Sequence, residues 1–173
     1  MELLFMKAAL SLRGVLVASA ILAPANAYAD PGSGGPFLAL SGQWSGVGTI
    51  TMADRPSERL RCKVANAVNA HGKAIQRNLR CTSDSSRLDI RSNVVAKGGM
   101  LSGSWAEMTR GVSGTVFGRA SGSAIDANVA GHGFAARIDV RTKGDKQSVT
   151  MQSVTIRPHS GTDVASLSVV LHR

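Results

Sequence analysis

The sequence predicts an all-β fold: an up-and-down antiparallel β-barrel of about eight to ten strands, stapled by one disulfide. Three observations carry this. From Gly42 onward, short alternating runs rich in Val, Ile, Thr and Ser are punctuated by Gly at intervals of about ten residues, and no window of helical period stands out. The two cysteines, Cys62 and Cys81, lie symmetrically about His71-Gly72, so a turn there sets them opposite each other across a hairpin. Successive segments are joined by tight turns without long crossovers. Closure into a barrel then removes the two exposed edges, with a two-sheet sandwich as the alternative.

Residues 1–29 read as an export signal. Lys7 and Arg13 give a basic start, Gly14 to Ala23 (GVLVASAILA) is a short apolar core, and Pro24 breaks any helix. Ala27-Tyr28-Ala29 forms an A-x-A cleavage site before Asp30. The apolar run is shorter than the roughly 20 residues a membrane span needs. Met6-Lys7 serves as a start as well as Met1 does. The expectation is a bacterial periplasmic or secreted protein that is not transmembrane, with its cysteines oxidised. Residues 30–41 (DPGSGGPFLALS) start rich in Gly, Pro and Ser and read as a flexible N-terminal segment. Residues 42–173 form a single barrel domain.

The first strand, 43–53, opens on Gly42-Gln43-Trp44. The second, 59–70, begins RLRCKV, with Arg59, Arg61 and Lys63 to water and Leu60, Cys62 and Val64 to the core. A two-residue turn at His71-Gly72 leads into the third, 73–83. It pairs Val64 with Leu79 and Val68 with Ile75 inside, and Arg61 with Thr82, Lys63 with Arg80 and Ala67 with Gln76 outside. A disulfide closing this loop contributes roughly 3 kcal/mol by restricting the unfolded chain. A turn at Asp84-Ser85 brings in the fourth strand, 87–97. Leu88 then opposes Cys81 and Ile90 opposes Leu79 on the dry side, while Asp89 meets Arg80 on the wet side. Gly98-Gly99 leads to 100–108 and then 111–120. Ser121-Gly122 leads to 123–130, and Gly131-His132-Gly133 to 134–143, where Arg137, Asp139, Arg141 and Lys143 alternate with Ile138, Val140 and Thr142. Gly144-Asp145 leads to 146–156. The last strand, 164–173, sets Leu167, Val169 and Leu171 on one face and Ser166, Ser168 and His172 on the other.

One inward row is polar. The register places Arg77 on the dry face between Asn66 and Ser92, with Trp105 extending the row and Glu107 opposite Ile90. Asn66 and Ser92 can hydrogen-bond the guanidinium, and such a row can orient a ligand carboxylate. A β-bulge or rim position that returns the row to water is the alternative. The inward set of Leu60, Val64, Val68, Ile75, Leu79, Leu88, Ile90 and Val94 is apolar enough to line a cavity, and apolar enough to fill one.

Charge supplies the second candidate. The net charge is +9, and loss of Lys7, Arg13 and Glu2 with the signal leaves +8. Arg61, Lys63 and Arg80 cluster on the wet face as a candidate anion-binding surface, unless Asp89 neutralises it. The partners this favours are a lipid or another envelope polyanion. Nucleic acid is disfavoured, because aromatics make up only 4% of the chain and base stacking needs them. No G-x-S-x-G, H-E-x-x-H or C-x-x-C motif occurs, and His71, His132, His159 and His172 are scattered. Catalysis, metal binding and cofactors are therefore not expected.

Gly42-Gln43-Trp44 resembles the G-x-W motif of lipocalins and the wider calycin group, and Met108-Thr109-Arg110 faintly echoes their second signature. The resemblance implies a barrel for small hydrophobic molecules, one end closed by Trp44, often packed against an Arg from the last strands. A Trp-containing first strand followed by Cys62-Lys63-Val64 and Leu79-Arg80-Cys81 also looks like the periplasmic inhibitors of metalloproteases. That resemblance implies an N-terminal trunk, here residues 30–41, that inserts into a protease cleft. The leading expectation is a non-enzymatic binding protein for a hydrophobic or anionic small molecule, with Arg77, Glu107 and Trp44 as candidate ligand residues. A protease inhibitor and a structural envelope protein held by its basic face are the alternatives.

Overall fold

The computed structural model describes residues 34–53, 55–154 and 164–173. The export signal and its cleavage site, and His159, lie outside the described residues. Ten strands run β1 (Gly42–Met52), β2 (Glu58–Val68), β3 (Ala74–Thr82), β4 (Arg87–Lys97), β5 (Met100–Glu107), β6 (Val112–Ser121), β7 (Ala124–Gly131), β8 (Phe134–Lys143), β9 (Lys146–Ser153) and β10 (Val164–His172). Each pairs antiparallel with its sequence neighbour, and β1 pairs with β10 to close the barrel.

The observed register pairs the strands as the cysteine spacing predicts. Cys62 faces Cys81 in the register and the two form a disulfide. Val64 faces Leu79, Arg80 faces Asp89, and Ser92 links Arg77 to Trp105. The turn itself differs from the expectation. Asn69 N–H donates to the Ala74 carbonyl, so residues 70–73 form the loop, and the Asn69 side-chain oxygen accepts from the amides of Lys73 and Ala74. Only Gly72 of the expected pair adopts a positive φ, 67°. Lengthening a loop equally on both sides preserves its centre of symmetry, which is why the register survives. The turn expected at Ser121-Gly122 falls one residue later: Ser121 pairs with Ala124, leaving Gly122 and Ser123 in the turn.

The larger correction concerns the N-terminal segment. Composition reads it as flexible, yet from Gly34 onward it is packed. The amides of Gly35 and Phe37 donate to the carbonyls of His71 and Gly72, and Leu38–Leu40 form a 3-10 turn. Phe37, 2% exposed, and Leu40 join Ile75 and Leu101 in a small core inside the barrel end. Two large apolar side chains three positions apart outweigh the glycines around them, since burying each stabilises by about 2 kcal/mol. The segment is a plug.

The barrel therefore has unlike ends. At the closed end lie the plug, the β2–β3, β4–β5, β6–β7 and β8–β9 turns, and the last residue. Trp44 is buried there, its indole N–H donating to the Leu40 carbonyl at 2.8 Å. The Arg173 guanidinium lies 4.5 Å from the centre of the Trp44 ring and donates to the Ala39 carbonyl. This is a cation–π contact that ties the chain's last residue to the plug. The opposite end carries the β1–β2, β3–β4, β5–β6 and β7–β8 connections.

Candidate functional site

The interior is not filled evenly. Against β1, β2, β3 and β8 to β10, large side chains such as Ile50, Met52, Leu60, Leu167 and Leu171 pack with the disulfide into one core. On β5 to β8 many inward positions carry small residues: Gly103, Gly114, Gly118, Ala127 and Ala136. The result is a cavity of about 1090 Å³ whose floor includes Phe37 and Leu40 and whose far end includes Arg110, Val112, His132 and Gly133. Its walls are mainly apolar, and Trp105 and Phe134 meet edge to face on one side at 5.7 Å. A second, more open hollow of about 570 Å³ over β2 to β5 has no charged residue in its lining.

Arg77 is the cation deep in this cavity, with Arg110 at its far end. Strand β3 aims it inward, and β2, β3 and β4 run through the row without a register break. The row is therefore interior, with no bulge or rim. Its partners differ from those the row suggested. Arg77 Nη2 donates across the interior to Gln147 Oε1 at 3.0 Å, and Gln147, fully buried, in turn donates to Thr142 Oγ1. Asn66 instead donates to the Leu40 carbonyl, tying the plug to β2. Among the described residues no carboxylate pairs with Arg77. Burial pushes its pKa down from the usual guanidinium range to about 10, so it stays charged at neutral pH.

Glu107 lines the same cavity near its far end, but its carboxylate is engaged. Oε1 accepts from the Asp89 amide, the Thr109 amide and the Thr109 hydroxyl, and Oε2 accepts from the Arg110 amide at 2.7 Å. Arg110 also pairs with it at 3.6 Å. Burial pushes this carboxyl up, but the hydrogen bonds from Thr109, Asp89 and Arg110 outweigh it and hold the group below the usual carboxylate range. Glu107 organises the β5–β6 turn. Trp44 sits at the closed end outside the cavity lining. Of the three candidate ligand residues, the structure brings Arg77 and Glu107 to one cavity, at different depths, and sets Trp44 apart.

Outside, Arg61, Lys63 and Arg80 share one exposed face. Asp89 takes Arg80 at 3.1 Å and stands 4.0 Å from Arg91, and among the described residues Arg61 and Lys63 have no ion-pair partner. Gln147 was missed by the sequence reading, because it stands at the start of a strand where a Gln reads as solvated. Its one signal was its place on the inward side of Val149 and Met151.

No protein-family model and no curated protein sequence matches this chain. Solved structures do match it as folds. Rv2717c from M. tuberculosis is 16% identical, with a TM-score of 0.62 over 79% of this chain and 93% of that one. The S-type phycobiliprotein lyase CPES from Guillardia theta is 11% identical, with a TM-score of 0.56 over 79% and 90%. A DUF3598-family protein of unknown function from Nostoc punctiforme is 14% identical, with a TM-score of 0.55 over 84% of this chain and 53% of that one. These likenesses establish the barrel fold.

Proposed function

We propose that this chain is an exported binding barrel for an elongated hydrophobic molecule with an anionic head. The head lies against Arg77 near the plugged end and the tail points along the cavity towards the open one. The observation that carries this is an inward-facing guanidinium with one hydrogen bond, no carboxylate partner among the described residues and an apolar cavity in front of it. An unpaired buried charge is destabilising, whereas a carboxylate delivered to it gains charge-assisted, bidentate hydrogen bonds in a low-dielectric site. The volume lies at the upper end of the roughly 300–1,000 Å³ of small-molecule pockets.

Binding is favoured over catalysis because Glu107, the carboxylate in the lining, already accepts four hydrogen bonds from its own turn and the neighbouring strand, an engagement that suits a structural role better than an acid or base. A soluble setting is favoured because the outer wall carries rows such as Arg137, Asp139, Arg141 and Lys143, where a membrane-spanning barrel needs an apolar band. The disulfide suits an oxidising compartment. The test is a titration of the mature chain with palmitate and with hexadecanol, which share a tail and differ in head charge. Tight palmitate binding at least tenfold stronger than hexadecanol supports the reading. Equal affinities, or no binding of either, overturn it.

A further inference from the structure

Two surface features meet at the open end of the barrel. The first is charge. On the outward faces of β2, β3 and β4, in the half of each strand towards the open end, stand Arg59, Arg61, Lys63, Arg80, Arg87 and Arg91. Among the described residues, three carboxylates stand near these six cations. Asp89 is shared between Arg80 and Arg91, Glu58 is bound by the hydroxyls of Ser83 and Ser85, and Asp84 stands at the β3–β4 turn. The β7–β8 wall contrasts with this, since Arg141 there pairs with both Asp126 and Asp139. The second feature is apolar. Met108, in the β5–β6 turn, is 48% exposed, and Val154, just past β9, is 58% exposed. Both belong to the open end. The two features are joined, because the Arg110 guanidinium of the β5–β6 turn reaches the Arg87 carbonyl at 3.5 Å.

We propose that the open end docks on an anionic lipid surface, with Met108 and Val154 inserting among the headgroups while the cations of β2 to β4 lie against phosphates. The proposal rests on the ligand reading above and adds the source of the ligand to it. A soluble polyanion would satisfy the cations and leave the apolar rim in water, whereas a bilayer satisfies both at once. Docking in this pose sets the cavity mouth against the membrane, so a lipid with an anionic head can pass in without crossing bulk water.

The experiment uses the mature chain and vesicles of phosphatidylcholine with and without phosphatidylglycerol, read by co-sedimentation. Binding is expected only to the anionic vesicles and should fall steeply between 50 and 300 mM salt. Arg61→Gln/Lys63→Gln should weaken it about 30-fold, at roughly one Lys or Arg charge equivalent per substitution near the surface. Met108→Ser should weaken it without altering its salt dependence. None of these residues contacts the cavity floor, so palmitate titration in solution should be unchanged in each variant and separates the two readings. Intact palmitate binding with no vesicle binding overturns docking and leaves the cavity reading standing. Vesicle binding indifferent to Met108→Ser, and competed away by soluble polyphosphate at equal charge, assigns the face to a soluble polyanion and also overturns it.

Discussion

In the Arg77→Met variant the inner wall of the cavity loses its charge but keeps a side chain of similar length. Burial pushes this guanidinium down to about 10, which corresponds to roughly 3 kcal/mol against the charged folded state. Its free donors face the cavity, where water reaches them, so about 2 kcal/mol is a fairer figure for what the substitution relieves. Leaving Gln147 Oε1 without its donor offsets about 1 kcal/mol. The net expectation is a gain of about 1 kcal/mol, or roughly 3 °C in Tm for a chain of this size. The sign of the pH dependence follows. A base whose folded pKa is lowered disfavours folding by a constant amount below the folded value, and the penalty disappears only as the pH rises towards the unfolded one. The difference between variant and wild type is therefore flat from pH 5 to 9. Palmitate affinity should fall roughly 10- to 100-fold while hexadecanol affinity is unchanged, since one charge-assisted contact is lost. Urea denaturation and the two titrations read all of this. A variant that is less stable than wild type and still prefers palmitate to hexadecanol would show that Arg77 is a structural strut, and the ligand reading would fall.

Three further perturbations test the frame around the cavity. Glu107→Gln should cost about 1–2 kcal/mol at neutral pH by weakening the acceptor for Thr109, Asp89 and Arg110. Because the folded carboxyl is held low, its contribution is present above the unfolded pKa and lost as pH falls through the folded one, so urea midpoints of variant and wild type should converge in acid. Joint replacement of Cys62 and Cys81 by Ala should lower stability by roughly 3 kcal/mol while the far-ultraviolet circular dichroism stays that of a β-protein, because the register is also held by Arg80–Asp89 and by the inward side chains. Removal of Arg173 should cost about 1–2 kcal/mol and alter the tryptophan emission spectrum, since it takes away both the cation over Trp44 and the donor to Ala39.

Strand positions and register were legible because both are local. The cysteine spacing, the Arg80–Asp89 pair and the alternation in RLRCKV each tie a residue to its neighbour on the next strand, and a period of two leaves little freedom once one pair is right. The inward placement of Arg77 followed from the same counting. What lies across the barrel was not legible. Gln147 on β9 meets Arg77 on β3 through the interior, and no hairpin relation connects them. Glycine misled in a similar way. It was read as turn punctuation, yet Gly103 and Gly114 stand mid-strand on the inner face, where a Cβ would come within 2.1 Å of the Asn93 carbonyl and 1.8 Å of the Ala130 carbonyl. Those glycines mark where strands bend tightly around the barrel, a property of closure that alternation does not encode. The plug was hidden for the converse reason: Phe37 and Leu40 stand amid residues that favour loops, and only the end of the barrel they seal gives them somewhere to go.

The plug also bears on how a ligand sits. With one end sealed by Phe37, Leu40 and the Trp44–Arg173 contact, a ligand reaches Arg77 from the far end and must bring its charged head past the apolar walls first. Stripping water from a carboxylate costs several kcal/mol, and a cation that was itself well hydrated or already paired would not offset it. Arg77 has no such charged partner among the described residues: Gln147 steadies it through one donor, supplies no charge, and leaves the others directed at the cavity. A neutral partner of this kind fixes the guanidinium's position without competing for its electrostatic attraction. A filled structural core would gain nothing from such an arrangement, since methionine or leucine at position 77 would pack there without a charge to neutralise. An incompletely paired cation beside a wide apolar cavity is therefore the feature on which the proposed ligand reading stands.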